Sequence, residues 1–524
     1  MTINNRNSFQ FYQTALFCFV AMYGILVALG SNPNFPTALK TNSWMPYLFD
    51  KPVGEDGFYM LMVAWNLSEL KGLVGNFDQN VTGIQPLATF IYAAIASLVR
   101  FFDGEKVDFV RTVLIFGTIN LILFASLMSR ITKKLAGDDK SAHIASFFSA
   151  ALACSSYYIF RLSTYGLETG IYLTLFALLL IQYAKFKDEQ ERMSSKLFIS
   201  KNVIFFGVLV GITGLARIDF VVIYAVFFLW SAFKNRTLIV PLIIAGTIGA
   251  IIVLPWIIYV YSVTGTPIPS SGPAQASLVS LNNLQGRVLA MYSAIIQNLT
   301  PTVFVGGKWY TLVAGSLSLA VIIIIGIKQR VFTRLGFLND WIFPLLSLIP
   351  IYLSFFWAMH FYARYTALLL TLGIPFSALS IALTLKAMKM KANINAFTFV
   401  TVGVFIAFSV MSLHRGKIGN SHVLTAGYIA VERPGEIVGA FQSGVIGFVN
   451  ANVVNLDGKI NVDVLPYIKS GNIDFYLQEN QQIKIIIDWP NYIERYISAE
   501  YLETSWTKCF DGLSWGSIGY CRKN

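Results

Sequence analysis

The run Ile84-Gln-Pro-Leu-Ala-Thr-Phe-Ile-Tyr-Ala-Ala-Ile-Ala-Ser-Leu-Val99 decides how this chain is organised. Hydropathy alone reads it as a membrane span, and if it crosses a bilayer every later segment changes side. Basic residues arbitrate. With the run lying in the interface, the next span is 109–129, running inward. The loops bearing Arg130, Lys133, Lys134 and Lys140, then Lys185, Lys187, Arg192, Lys196 and Lys201, then Lys234 and Arg236, then Lys328, Arg330 and Arg334, then Lys386, Lys389 and Lys391 all fall on one side. The opposite loops are poor in charge: between Tyr261 and Tyr310 stand only Arg287 and Lys308. Short cytoplasmic loops carry the Lys and Arg excess of membrane proteins. The run is therefore read as interfacial or re-entrant and the basic loops as cytoplasmic.

Working outward, uncharged apolar runs such as Ile239–Tyr261, Thr366–Leu385 and Ala396–Leu413 approach or exceed the roughly 20 residues that cross a bilayer. Only 13 % of the residues are charged and 55 % are hydrophobic, against about 25 % charged in a soluble domain. The fold class expected is an all-α polytopic membrane protein with about eleven transmembrane helices, at 11–29, 109–129, 141–160, 167–184, 202–216, 218–233, 238–262, 310–327, 341–358, 365–385 and 395–413. Residues 1–413 form the membrane domain, with interfacial helices in a first outer loop over 30–107. Phe11–Leu29 has no small-residue cleavage site after it and reads as a signal anchor with a cytoplasmic N-terminus. The net charge of +12 is accounted for by the basic loops, and no nucleic-acid-binding motif accompanies it.

From His414 the composition turns polar, with alternation over Ile483–Ile487 and turn residues around Asn455–Asn461. Residues 414–524 are read as a small mixed α/β soluble domain on the outer, extracytoplasmic face. Cys509 and Cys521 lie in this tail. A disulfide between them is expected if the tail is outside the cytoplasm, and two free thiols are the other reading.

The chemistry-bearing stretch lies in the first outer loop: Gly54-Glu55-Asp56-Gly57-Phe58-Tyr59, then Ala64-Trp65-Asn66-Leu67, Gly72, Asn76 and Gly83-Ile84-Gln85-Pro86-Leu87. Two carboxylates open an amphipathic helix. The macrodipole favours acids there, and a carboxylate at that place can also serve as a general base facing the membrane. The stretch resembles the first outer loop of the glycosyltransferase C superfamily, polytopic enzymes that use polyprenyl-phosphate-linked sugars, in which an acidic pair is followed by an aromatic-rich helix and a Pro-Leu element that starts an interfacial helix. Here the pair is Glu55-Asp56 rather than the commoner Asp-Asp or Asp-Glu. Further matches follow in order: Gly166-Leu167-Glu168-Thr169, Leu215-Ala216-Arg217-Ile218-Asp219 with Ile in place of Pro, Gly265-Thr266-Pro267-Ile268-Pro269, Arg364-Tyr365, and, in the tail, Gly444 to Asp457-Gly458 with Asn461, as in arabinofuranosyltransferase-like members.

The resemblance implies a glycosyltransferase at the periplasmic face of a bacterial inner membrane. It would move a sugar from a polyprenyl-phosphate donor to a cell-envelope glycan or glycolipid acceptor, with inversion. Asp56 is the favoured base and Glu55 its co-catalytic or metal-contacting neighbour. The donor phosphate needs cations at the outer boundary, and Arg suits phosphate by its bidentate geometry. Arg217 and Arg364 lead that group, followed by His360 and Lys308. Glu168, Tyr59, Trp65 and Gln85 are the residues expected to bind acceptor or sugar. No Cys/His metal spacing is present, so no metal ligands are assigned; a divalent cation such as Mg2+ or Mn2+, which some relatives use, could be held only by carboxylates. The partners are then the bilayer, the lipid-linked donor and the acceptor, with no nucleic acid. The other function classes are a transporter or flippase of lipid-linked sugars, and a polysaccharide polymerase or ligase. Absence of repeat symmetry and the position of the ionisable residues, at the outer boundary rather than the midplane, count against the transporter.

Overall fold

The computed structural model describes residues 4–30, 45–48, 51–137, 141–192, 200–276, 284–300, 309–354, 363–387, 421–512 and 516–523. The first long helices are α1 (Asn4–Leu29) and α4 (Lys106–Ala136), joined by the stretch read above as the first outer loop. Between them lie α2 (Glu55–Ser68) and α3 (Pro86–Phe101). Helices α5 (Ser141–Cys154), α6 (Tyr157–Thr164), α7 (Thr169–Arg192), α8 (Lys201–Ala216), α9 (Phe220–Lys234) and α10 (Ile239–Thr264) follow. Among the described residues, the helices before residue 388 continue with α11 (Leu284–Leu299), α12 (Trp309–Lys328), α13 (Asn339–Leu346), α14 (Leu348–Ser354) and α15 (Leu370–Ala387).

The interfacial reading of the opening run agrees with the length of α3. Pro86 sits in its first turn, where a missing N–H costs nothing. Its 16 residues rise about 24 Å, short of the roughly 30 Å of hydrocarbon. Thr89, Tyr92, Ala93 and Ala96 are buried while Phe90, Leu98 and Phe101 are exposed, which gives it one packed and one lipid-ready face.

The expectation of about eleven spans is not met among the described residues. Six helices are long and apolar enough to cross, and a seventh crossing results if α5 and α6, bent by 61°, count as one. Helices α8 and α9, of 16 and 15 residues, are too short for an untilted crossing. Pro344 lies within α13, and the segment expected at 341–358 is divided into α13 and α14, its end beyond Ser354 lying outside the described residues along with the whole of 395–413.

The 31-residue α4 gives the molecule its two ends. A reciprocal capping box between Glu105 and Asp108 starts it, and Gly137, with φ 72°, ends it. At its first turn Lys106 donates to the Phe448 carbonyl at 2.6 Å, touching the soluble domain. Near its last turn Lys134 pairs with Asp188 at 2.6 Å. Asp340 holds Lys187 at 2.7 Å and Lys234 at 3.5 Å at that same end. The basic loops thus meet about 45 Å from the soluble domain at 1.5 Å per residue.

The soluble domain begins, among the described residues, with α16 (Ser421–Glu432) and has a five-stranded sheet in the order β2-β1-β3-β5-β4. Strand β1 (Ile437–Ala440) is parallel to β2 (Val453–Asn455) and to β3 (Ile483–Asp488). Strands β4 (Trp506–Gly512) and β5 (Ser517–Arg522) complete it in antiparallel pairing. Cys509 and Cys521 are disulfide-bonded between β4 and β5, Cα atoms 5.6 Å apart. One apolar core runs continuously from the first outer loop (Phe58, Trp65, Tyr92) into this domain (Val438, Phe448, Ile485, Ile487).

That shared core corrects the expected amphipathic helix. Every residue of α2 from Gly57 to Asn66 is buried. Helices α3 and α4 cover one side, and the soluble domain's α17 (Gly444–Val449) covers the other: Phe58 meets Phe448 at 5.3 Å between ring centroids. A helix apolar all round is stable only when covered all round.

Candidate functional site

The acidic pair sits at the start of α2, where Gly54 is extended and offers no side-chain cap. Successive helix positions diverge by about 100°, and the two carboxylates go separate ways. Glu55 turns into the soluble domain. Its Oε1 accepts the backbone N–H groups of Gly444 and of Val445, the latter at 3.2 Å, at the opening of α17. Its Oε2 is buried without a hydrogen-bond partner among the described residues. Burial, then the facing Asp488 carboxylate, push the Glu55 carboxyl well above its usual range, against the lowering effect of the two backbone donors.

Asp56 turns the other way, into a cavity of about 980 Å³. Arg364 Nη2 donates to its Oδ2 at 2.7 Å. Lys459 Nζ stands 3.5 Å from its Oδ1 and 3.0 Å from Asp457 Oδ2. Burial alone would raise the Asp56 carboxyl, but Lys459 and Arg364 outweigh it and hold it well below the usual carboxylate range. Tyr59, one turn on, donates to the Phe441 carbonyl at 2.9 Å and lies 3.4 Å from Asp457 Oδ2. The Lys459 ammonium lies over the Tyr59 ring, 5.6 Å from its centroid.

Arg217 stands on the same cavity, in the break between α8 and α9, with an extended backbone (φ −150°, ψ 117°). It is fully engaged: Glu168 at 3.0 Å, Asp219 at 2.8 Å, and the Tyr352 hydroxyl at 2.9 Å. One guanidinium between two carboxylates, Glu168 buried and Asp219 partly so, leaves this trio a net charge of −1. Gln85 also lines the cavity, its buried Oε1 without a partner. Along α8, α9 and α10 the wall is largely aliphatic, from Val210, Val221, Val253, Leu254 and Ile257, with Pro267 and Pro269 of the following loop; Tyr224, Tyr352, Tyr365 and Gln275 add aromatic and polar surface.

Of the residues singled out in the sequence, Asp56, Tyr59, Gln85, Glu168, Arg217 and Arg364 converge on this cavity. Glu55 does not line it. Trp65 does not either: its indole donates to Glu69 at 3.0 Å and its ring packs on Phe109. His360 and Lys308 lie outside the described residues. Lys459 was missed. It follows Asp457-Gly458 in a motif read only as part of the tail, and nothing local marks it as a partner of Asp56.

The donor set does not fit a divalent cation. Both Asp56 oxygens face cations, Glu55 points away, and no group of three or more His, Cys, Asp or Glu gathers to hold a metal among the described residues, whereas such ions take about six oxygen ligands.

No family model and no curated protein matches the chain. Solved structures do. ArnT from Cupriavidus metallidurans, in the apo state, aligns with a TM-score of 0.56 and 10 % identity over 97 % of this chain and 97 % of that one. The Archaeoglobus fulgidus oligosaccharyltransferase in complex with Zn and sulfate aligns with a TM-score of 0.51 and 11 % identity over 97 % of this chain and 73 % of that one. The chain is a multi-pass membrane protein by the length and composition of its apolar helices, and its fold is like those of ArnT and the oligosaccharyltransferase. The ArnT match spans both chains nearly end to end.

Proposed function

We propose that this protein is an integral-membrane glycosyltransferase that moves one sugar from a polyprenyl-phosphate donor to a glycan or glycolipid acceptor on the periplasmic side of a bacterial inner membrane. The observation that carries the reading is the cavity itself. One end is charged, at Asp56, Arg364 and Lys459, and the wall is largely aliphatic along α8, α9 and α10. This is complementary to an amphiphile with a polar head and a long apolar chain. The fold likeness to ArnT and the oligosaccharyltransferase supports the same class of chemistry by analogy.

In this reading the acceptor hydroxyl oxygen attacks the anomeric carbon as the bond from that carbon to the phosphate oxygen breaks. The acceptor proton passes to Asp56. The polyprenyl phosphate leaves with one more negative charge than the donor phosphodiester carried, and Arg364 meets that charge. A single displacement inverts the anomeric centre. Arg217, neutralised by Glu168 and Asp219, orders the cavity wall more than it attracts anions. Glu168 and Gln85 are placed to receive sugar hydroxyls. The basic end of the molecule is cytoplasmic in this arrangement, and no step calls on a metal.

The test is mass spectrometry of envelope glycans and glycolipids from cells lacking the protein, complemented with wild type or Asp56→Asn at matched membrane levels. The expected result is a glycan missing one sugar in the null strain, restored by wild type but not by Asp56→Asn. In purified form the variant should be slower by roughly 10²- to 10⁴-fold, the usual range for a positioned general base. Full restoration by Asp56→Asn would sink the assignment of the base. A transporter would instead leave transfer intact in detergent, with Asp56 irrelevant to it.

A further inference from the structure

A base held by two cations is a poor base. Asp56 carries Arg364 on one oxygen and Lys459 near the other, and those contacts suppress the proton affinity that transfer requires. The two cations differ in freedom. Arg364 belongs to the membrane domain, just before α15. Lys459 comes from the soluble domain, on a loop whose main chain is pinned: its carbonyl accepts from Ser270 Oγ at 2.8 Å, and Gly83 packs so closely that a Cβ there would come within 2.0 Å of the same oxygen. The backbone is fixed, but the side chain is 19 % exposed to the cavity and bridges two carboxylates, Asp56 and Asp457. Asp56, Asp457, Arg364 and Lys459 together sum to zero charge, so neither of these two cations is available to an arriving phosphate unless it leaves a carboxylate.

We propose that Lys459 is a phosphate-binding residue that exchanges between Asp56 and the donor's phosphate, so that loading of the anionic donor frees the base. The proposal rests on the transferase reading above. The ammonium lies between Asp56 and Asp457, with the Tyr59 ring beneath it and Glu55 turned away toward the Gly444 and Val445 amides. A lysine suits such an exchange: it is a point charge on a flexible four-carbon stem, with donors that reorient without the planar fit an arginine demands. With the phosphate bound, Lys459 keeps Asp457 as its anchor and gives up Asp56, whose proton affinity then rises. The reaction becomes ordered, since the acceptor hydroxyl meets an active base only after the donor has arrived.

The test uses the purified full-length protein in nanodiscs and a probe that needs no knowledge of the sugar: undecaprenyl phosphate, with undecaprenol as the phosphate-free control. Binding is titrated for wild type, Lys459→Met, Lys459→Arg and Asp56→Asn. Lys459→Met should weaken undecaprenyl phosphate binding at least tenfold and leave undecaprenol unchanged; Lys459→Arg should stay within about threefold of wild type. Asp56→Asn should tighten phosphate binding several-fold, because the competing carboxylate is gone. A merely structural lysine would not produce that opposite response. Equal affinity of wild type and Lys459→Met for undecaprenyl phosphate overturns the exchange while leaving the transferase reading in place. Failure of wild type to prefer the phosphate over the alcohol overturns both.

Discussion

At the scale of single residues, the largely buried trio of Arg217, Glu168 and Asp219 carries the heaviest electrostatic load away from the base. Removing one partner of a buried ion pair typically costs 3–5 kcal/mol, because the other charge is left desolvated, whereas removing all the charges together is often close to neutral. Arg217→Met should therefore lower the folded yield and thermal stability sharply, by about that amount. The triple variant Arg217→Met, Glu168→Gln, Asp219→Asn should recover most of it. Thermal unfolding of the two purified variants checks this, and a triple variant as unstable as the single one would show that the trio's packing, not its charge, matters. The same arithmetic separates Glu55 from Asp56. Two adjacent acids look interchangeable in sequence, yet one is held by α17 backbone amides and the other by Arg364 and Lys459.

At the scale of elements, β3 ends in a carboxylate that should give the soluble domain a pH dependence. Asp488 is fully buried, accepts the N–H groups of Gln442 at 2.6 Å and Trp489 at 2.7 Å, and is pushed from an ordinary 3.8 up to about 7, chiefly by burial. Glu55 and Asp457 are its charged neighbours. A carboxyl raised on folding binds its proton more tightly in the native state. Its stabilising contribution is complete below about pH 4 and is lost as pH rises through about 7. Glu55, also raised, acts in the same direction. Asp56, held low, acts in the opposite direction but only below the ordinary carboxylate range. His422, held down to about 4 by burial beside Trp489, acts in the opposite direction over part of this range, so the check is the difference: between pH 5 and pH 8 the melting temperature of wild type should fall relative to that of Asp488→Asn as pH rises. Parallel slopes in the two proteins would refute Asp488 as the source.

At the scale of the whole molecule, the cavity is completed only when the soluble domain is seated on the first outer loop. The close approaches are backbone to backbone: Gly83 against the Lys459 carbonyl and Gly444 against the Glu55 carbonyl, where a Cβ would come within 2.0 Å and 2.2 Å. Neither neighbour is a flexible side chain that could yield. Gly83→Val should unseat the soluble domain without preventing insertion. It should increase protease cleavage of that domain in nanodiscs and reduce transfer at least tenfold. Wild-type cleavage and activity in this variant would mean that the domain's docking does not complete the site.

The sequence by itself determined what the bilayer and local geometry dictate. The lengths of the apolar runs, the basic bias of one set of loops, Pro86 at the start of a helix too short to cross, and the polar, alternating tail all follow from solvent and period. The acidic pair, with Glu168, Arg217 and Arg364 in order along the chain, was legible because each lies in a local motif that resembles one of the glycosyltransferase C superfamily. Tertiary structure alone decided which of these residues share a cavity, that Arg217 is neutralised by two carboxylates, that α2 is covered on every side, and that Trp65 belongs to the core. It also decided that Lys459 reaches Asp56 from 403 residues away. That contact follows from no local pattern or period. It exists because the soluble domain docks on the first outer loop through a shared apolar core, and such packing places side chains together irrespective of their distance along the chain.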